Sequence, residues 1–335
     1  LYLIDNGLAR ADESTTVGPR GLVEMGGGTL LTPVLTNAGV IRGAGRIESD
    51  VFNIGDIRTA ADIANLRERL WVTGLVDNDG IIESIGGEME FESLVTNNED
   101  GKIFGKDAIL RFRGGLSNTG SIFLDNTVVE EDGGITSEGV LSVGASAPST
   151  ILGDLSLSGA NDFEVLIGED FSVLNITGDV DLGGTVSAVL ADGFIPQIGD
   201  SFQILDAASL SGTFSNTDAL AISGLRLEVN YPTPTTVVLN AVAGFVFNAD
   251  FNMDGIVNAL DLSIWEMNFG TTMGATPGTG DANGDGVVDG ADFSIWQEQF
   301  GASPASIALG QVPEPATWAL LVTGLAAAAC RRRRI

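Results

Sequence analysis

From Leu1 to about Ala243 the chain is written in short apolar runs of Val, Ile, Leu and Phe, broken every few residues by Gly, Asn, Asp or Ser. Runs this short, rich in β-branched residues and bounded by turn formers, predict strands. The breaks recur as Asn37-Ala38-Gly39-Val40-Ile41, Asn78-Asp79-Gly80-Ile81-Ile82, Glu99-Asp100-Gly101-Lys102-Ile103, Asn118-Thr119-Gly120-Ser121-Ile122 and Ser137-Glu138-Gly139-Val140-Leu141. Their glycines stand 41, 21, 19 and 19 residues apart, a period near 20 with one unmarked turn. A repeat of that length cannot bury its own apolar face, whereas stacked repeats share one continuous core. The expected fold is therefore mainly β, a parallel and right-handed β-helix, with an antiparallel sandwich as the alternative. Thr59-Ala60-Ala61-Asp62 departs from the pattern. It reads as a helix N-terminus, and Ile63, Leu66 and Leu70 then lie on one face of a short projecting helix.

Repeats over 1–160 give way to a different style over 161–244. Leu174-Asn175 leads to Gly178 and Gly183-Gly184, then to Gly199-Asp200-Ser201-Phe202 and Gly212-Thr213-Phe214. This order is similar to the closing part of the passenger β-helices of autotransporters, which implies that the segment ends the solenoid. Tyr231-Pro232-Thr233-Pro234 and the apolar run behind it predict a last edge strand, because proline cannot donate to a further neighbour.

Beyond Ala243 the apolar period becomes helical. Leu262, Trp265 and Phe269 form one stripe, and Phe293, Trp296 and Phe300 repeat it 31 residues later, with Gly270 and Gly301 as stops. Each stripe follows an oxygen-rich loop. The first loop carries Asp250, Asn252, Asp254, Asn258 and Asp261 at positions 1, 3, 5, 9 and 12, and the second carries Asp281, Asn283, Asp285, Asp289 and Asp292. Gly255 and Gly286 fall at position 6, and Ile256 and Val287 offer carbonyls at position 7. Side-chain oxygens in this order suit a calcium ion, and glycine permits the sharp turn. The competing reading is a pair of acidic turns without metal. Nine carboxylates and no Lys or Arg lie over 245–301, so the metal-free module should be loosened by self-repulsion.

Asp at position 12, one helix per loop and tandem duplication together resemble the type I dockerin over 245–301. The resemblance implies two Ca2+ ions, one held by each loop, and a cohesin-like docking partner. In that family, polar residues at positions 10 and 11 and basic helix residues contact the partner. Here those positions read Ala259-Leu260 and Gly290-Ala291, and the helices hold no basic residue. An unusual cohesin, another part of this chain or a spacer role are the open readings.

A linker over 302–311 leads to the tail at 312–335. Pro313-Glu314-Pro315 is followed by fifteen uncharged residues, Ala316 to Cys330 with Trp318 among them, and then by Arg331, Arg332, Arg333 and Arg334. As a helix the apolar stretch covers ~22 Å, short of the ~30 Å hydrocarbon core. Inserted, it would keep the arginines on the cytoplasmic side and everything before it outside. This tripartite tail resembles the PEP-CTERM sorting signal, which implies recognition by an exosortase. A plain C-terminal membrane anchor gives the same topology. The chain opens at Leu1 without a signal-peptide pattern, so export is argued from this end.

Composition narrows the chemistry. The chain of 335 residues has Asp+Glu 45 against Lys+Arg 16, which leaves no basic face for nucleic acid. It has no His, which excludes serine–histidine and cysteine–histidine catalysis and every imidazole ligand. Its single cysteine, Cys330, sits in the tail as a small apolar residue. Glu88, Glu90 and Glu92, with Arg111 and Arg113, are the carboxylates and arginines a glycan-cleaving site would draw on. Strand alternation equally places them on the solvent side of a coil. The expectation is a non-enzymatic, exported surface or matrix protein, displaying a β-helix for structural or adhesive use. A polysaccharide-binding or polysaccharide-degrading β-helix with glycans as partners is the alternative.

Overall fold

A computed structural model describes residues 2–5, 7–59, 69–191, 193–222, 225–243, 248–252 and 256–301, with side chains described over these ranges apart from 2–5, 221 and 222. It divides into two compact units, residues 1–220 with 225–243, and residues 221–224 with 244–335.

The first unit is a β-solenoid with three strands per coil. The first face stacks Asp56–Arg58, Ile81–Ile85, Lys102–Lys106, Ser121–Asp125, Val140–Val143, Asp162–Ile167 and Thr185–Leu190. The second stacks Arg69–Val72, Glu88–Phe91, Ile109–Phe112, Val128–Glu131, Ser149–Leu152 and Leu174–Ile176. The third stacks Val76–Asn78, Val95–Asn97, Leu116–Asn118, Ile135–Ser137, Leu155–Leu157, Asp179–Leu182 and Ser209–Gly212. Every one of these pairings is parallel, which excludes the antiparallel sandwich. At the amino end the long strands Leu22–Asn37 and Val40–Asn53 run across all three faces and pair parallel with each other.

The core is a set of columns one residue wide. Ile57, Ile82, Ile103, Ile122, Leu141, Phe163 and Val186 stand in register on the first face, all buried. Val76, Val95, Leu116, Ile135, Leu155 and Val180 do the same on the third. Phe91 and Phe112 stack at 5.3 Å between ring centroids. Each residue covers the one a rung below, ~4.8 Å away, so apolar burial and the backbone ladder reinforce each other. The cavity within this core, lined by residues such as Ile103, Phe112 and Leu155, measures about 10 Å³ and has no room for a ligand.

The recurring Asn-x-Gly breaks have a structural reason. Asn37, Asn53, Asn78, Asn97 and Asn118 line up at the end of the third face, each almost wholly buried. Each side-chain Nδ2 donates to Oδ1 of the next, at 2.7, 2.6, 2.6 and 2.7 Å, and Asn118 donates to Ser137 Oγ at 3.0 Å. The second amide hydrogen goes to a turn carbonyl, as from Asn78 to Gly80 O at 3.1 Å. The unmarked turn is Asn53-Ile54-Gly55, disguised because its coil is short and the next one long. In the coil that contains Glu99, the ladder residue is Asn97, four residues before its glycine. The glycines are needed for close approach. A Cβ on Gly120 would stand 2.2 Å from Asn98 O, and one on Gly139 would stand 2.1 Å from Gly120 O.

The parallel coils continue through Ser209–Gly212, and an antiparallel hairpin of Leu225–Thr233 and Thr236–Ala243 follows. Its second strand also pairs antiparallel with Ser201–Asp206. The single edge strand expected from Tyr231 onward is thus corrected to a hairpin. Tyr231-Pro232-Thr233 ends one strand, Pro234 lies in the turn, and the Val-rich run is an inner strand. Tyr231 also accepts a hydrogen bond from Phe214 N at its hydroxyl, at 2.9 Å. Of the helix expected from Thr59, residues 60–68 lie outside the described residues, and Leu70 belongs to a strand as a buried core residue.

The second unit contains α1 (Ala259–Asn268) and α2 (Gly290–Gln299), with a 3-10 turn at Pro277–Thr279 between them. Its core gathers Ala249, Phe251, Val257, Ala282 and Trp296, against which Leu262, Ile264, Trp265, Phe293 and Ile295 are half-buried. Each helix is one residue shorter than its expected stripe. Phe269 and Phe300 are C-cap residues, exposed but still against Trp265 and Trp296 at 4.8 and 4.9 Å. Gly270 and Gly301 follow in the left-handed region, with φ of 92° and 83°, which ends each helix. Among the described residues no helix is long and apolar enough to cross a membrane. The tail, with Pro313, Glu314, Pro315, Ala316, Trp318, Cys330 and Arg331 to Arg334, lies outside the described residues.

Candidate metal centre and docking module

The two loops are built alike from position 12 inward. Asp261 and Asp292 are fully buried and occupy the third position of their helices. Asp292 Oδ1 accepts from Ala282 N at 2.9 Å and Asn283 N at 3.2 Å, and Oδ2 accepts from Asp289 N at 2.9 Å. Asp261 repeats the arrangement with Phe251 N, Asn252 N and Asn258 N at 2.8, 3.1 and 2.8 Å. As N-caps, Asn258 and Asp289 accept from Leu260 N and Ala291 N through their side-chain oxygens, so positions 9 and 12 form a reciprocal capping box. This explains aspartate at position 12. Its short arm reaches the loop backbone and the N-cap at once, while the helix dipole favours its charge.

In the second loop, Asp281 Oδ1 accepts from Gly284 N at 2.7 Å and Oδ2 from Gly286 N at 2.8 Å. Gly286 turns the chain with φ of 82°. Asn283 and Asp285 are exposed and bond to each other at 3.0 Å. Val288, next to the carbonyl-bearing Val287, is fully buried, as is Val257 in the first loop. Sequence reading missed these two anchors, although an apolar residue at position 8 of both repeats was visible. In the first loop Asp250 is buried, Asn252 and Ile256 are exposed and Asn258 is half-buried. Asp254 lies outside the described residues.

The donor set fits a hard divalent cation. It consists only of carboxylate, amide and peptide oxygens, with no nitrogen or sulfur ligand and no competing cation. Among the described residues no three His, Cys, Asp or Glu side chains converge on one point. In the second loop the carboxylates are held by backbone N–H groups, and the exposed Asn283 and Asp285 are the arms that an ion would draw in.

On the second face of the solenoid the candidate catalytic residues are engaged with each other. Arg111 bridges Glu88 at 2.7 Å and Glu130 at 2.8 Å. Arg113 bridges Glu130 at 2.9 Å and Asp132 at 3.2 Å, and Arg69 pairs with the buried Glu90. Glu92 lies beyond the strand and is exposed. Hydrogen bonding from Arg111 holds Glu130 below the usual carboxylate range. On the first face, burial raises Glu83, against the opposing pull of Arg58, and burial likewise raises Glu164, which accepts from Ser142 at 3.1 Å.

Comparison with known families agrees with the site geometry. Residues 248–301 match the dockerin type I domain, and residues 311–334 match the PEP-CTERM protein-sorting motif. No curated protein matches the chain. The chain therefore carries a dockerin type I module and a PEP-CTERM motif behind a β-solenoid. Dockerin type I domains bind calcium, and the module implies a cohesin-type partner. The sorting motif implies exosortase processing, and the two together suggest an exported, cell-surface protein.

Proposed function

We propose that this protein is a non-enzymatic scaffold of the bacterial surface or extracellular matrix. Its right-handed solenoid is displayed for structural or adhesive contacts, and its calcium-loaded module docks onto a cohesin-type receptor. Asp250, Asn252, Asp254, Ile256, Asn258 and Asp261 hold one Ca2+ ion, and Asp281, Asn283, Asp285, Val287, Asp289 and Asp292 hold a second. Ala316 to Cys330 enters the membrane during sorting, with Arg331 to Arg334 on the cytoplasmic side.

The observation that carries the docking reading is the matched construction of the two loops, down to the same three backbone bonds on Asp261 and Asp292. The docking face is that of α1. Leu260 and Met267 are 61% and 79% exposed there, whereas the equivalent positions 31 residues on are Ala291 and Glu298. The two repeats thus present unlike faces, and a partner with an apolar patch engages the module in one orientation. What supports a scaffold over an enzyme is that Glu88, Glu90, Arg111 and Arg113, the candidate catalytic carboxylates and arginines, are engaged in ion pairs.

The test is binding of the full chain to a panel of immobilised cohesin domains, with and without calcium. Calcium-dependent binding that falls at least tenfold in Leu260→Asp and stays level in Ala291→Asp is expected. Calcium-independent binding, or equal loss in both variants, overturns the single-face docking. Release of reducing or unsaturated sugar ends from a polysaccharide panel would overturn the non-enzymatic reading.

A further inference from the structure

We propose that the two calcium loops are coupled by a reciprocal latch of indole N–H groups, each helix holding the loop of the other repeat. Trp265 of α1 donates from Nε1 to the carbonyl of Asp289 at 3.0 Å, and Trp296 of α2 donates to the carbonyl of Asn258 at 3.1 Å. Both acceptors occupy position 9, the residue that caps the helix following its loop. Each position-9 residue is gripped on two sides. Its own N–H goes to the position-12 carboxylate of its loop, and its carbonyl takes the indole of the opposite repeat.

The crossing is carried further by the backbone. Gly270 N, at the end of α1, donates to Val288 O of the second loop at 2.9 Å, and Gly301 N, at the end of α2, donates to Val257 O of the first loop at 2.9 Å. Val288 N returns a bond to Thr271 O at 2.9 Å. Positions 8 and 9 of each loop are therefore positioned by the other repeat, and Trp296 makes its contact as a buried side chain of the module's core. An ion that orders one loop fixes the helix capped by that loop. That helix in turn presents its tryptophan to the second loop. Charge adds to the effect, because the first cation relieves the repulsion among nine carboxylates that no Lys or Arg offsets. The latch rests on the calcium reading, and it assigns Trp265 and Trp296 as positioning residues for the loops opposite their own.

The experiment is a calcium titration of the full chain, followed by the backbone amides of Gly255 and Gly286, one in each loop. In the parent chain both amides shift over the same calcium range. Trp265→Phe, which keeps the ring and removes the N–H, is expected to weaken the Gly286 loop by about three- to tenfold. Trp296→Phe does the same to the Gly255 loop. Substitutions that move only the loop of their own repeat, or neither loop, overturn the latch and leave calcium binding standing. No shift of either glycine in the parent chain overturns the calcium reading, and the latch with it. If either variant fails to fold, the parent decides, since midpoints more than tenfold apart for the two glycines overturn the coupling.

Discussion

The solenoid and the calcium module both rely on Asn, Asp and Gly in short turns, yet they balance their polar groups in opposite ways. Asparagine carries a donor and an acceptor, so Asn53, Asn78 and Asn97 can each accept from one coil and donate to the next, and the column closes on itself while buried. Aspartate carries acceptors only. Asp281 and Asp292 are held by nearby backbone N–H groups, Asp285 accepts from Val287 N, and no Lys or Arg over 245–301 offsets the loop carboxylates. The next coil completes the solenoid turn, whereas the loops of dockerin type I domains are completed by the calcium they bind.

The sharpest way to break this comparison is to remove calcium. Chelation is expected to abolish the helical circular dichroism signal and change the emission of Trp265 and Trp296, leaving the β signal intact. Saturation at a hundred times the dissociation constant should restore about 2.7 kcal/mol per site. Loss of both signals together would show that the solenoid depends on the ion as well. Phe91→Ala addresses the solenoid alone. It removes a fully buried ring stacked on Phe112, and denaturant unfolding should show a loss of about 3–5 kcal/mol with calcium affinity unchanged.

Asn97→Ala tests the ladder itself. It strips Asn118 Oδ1 of its donor and Asn78 Nδ2 of one acceptor, both buried, and should cost about 2–3 kcal/mol. A neutral outcome would mean that water enters the column.

The smallest effect concerns Glu164. Its folded pKa lies above the unfolded value, so its contribution favours the fold below the unfolded pKa and is lost as pH rises through the folded one. Glu164→Gln should therefore raise Tm by about 2 °C at neutral pH and leave it unchanged near pH 4. An equal rise at both pH values would assign the gain to something other than ionisation.

Much of the candidate site was legible because its spacing is local. Twelve consecutive positions fix a loop, and the 31-residue repeat shows that the pattern is used twice. The reciprocal bonds of Trp265 and Trp296 were not legible, since nothing in a helical stripe says which indole carries its N–H to a distant carbonyl. The same division holds in the solenoid. Asn78-Asp79-Gly80 announced a turn, but the sequence period missed Asn53 because coil length varies while register does not.

By itself the sequence determined a mainly β region repeating near every 20 residues, the two oxygen-rich loops, the lack of His and of any Cys before Cys330, and the tripartite tail. All of these follow from residue type and local spacing. Only the tertiary structure decided that the Asn side chains form one buried column, that Glu88 and Glu90 are engaged by arginines, that Tyr231 introduces a hairpin, and that each calcium loop is held by the helix of the other repeat. Those outcomes depend on which strand or helix lies beside which, set mostly by contacts between residues well separated in sequence, 16 positions for Asn37 and Asn53 and 38 for Asn258 and Trp296.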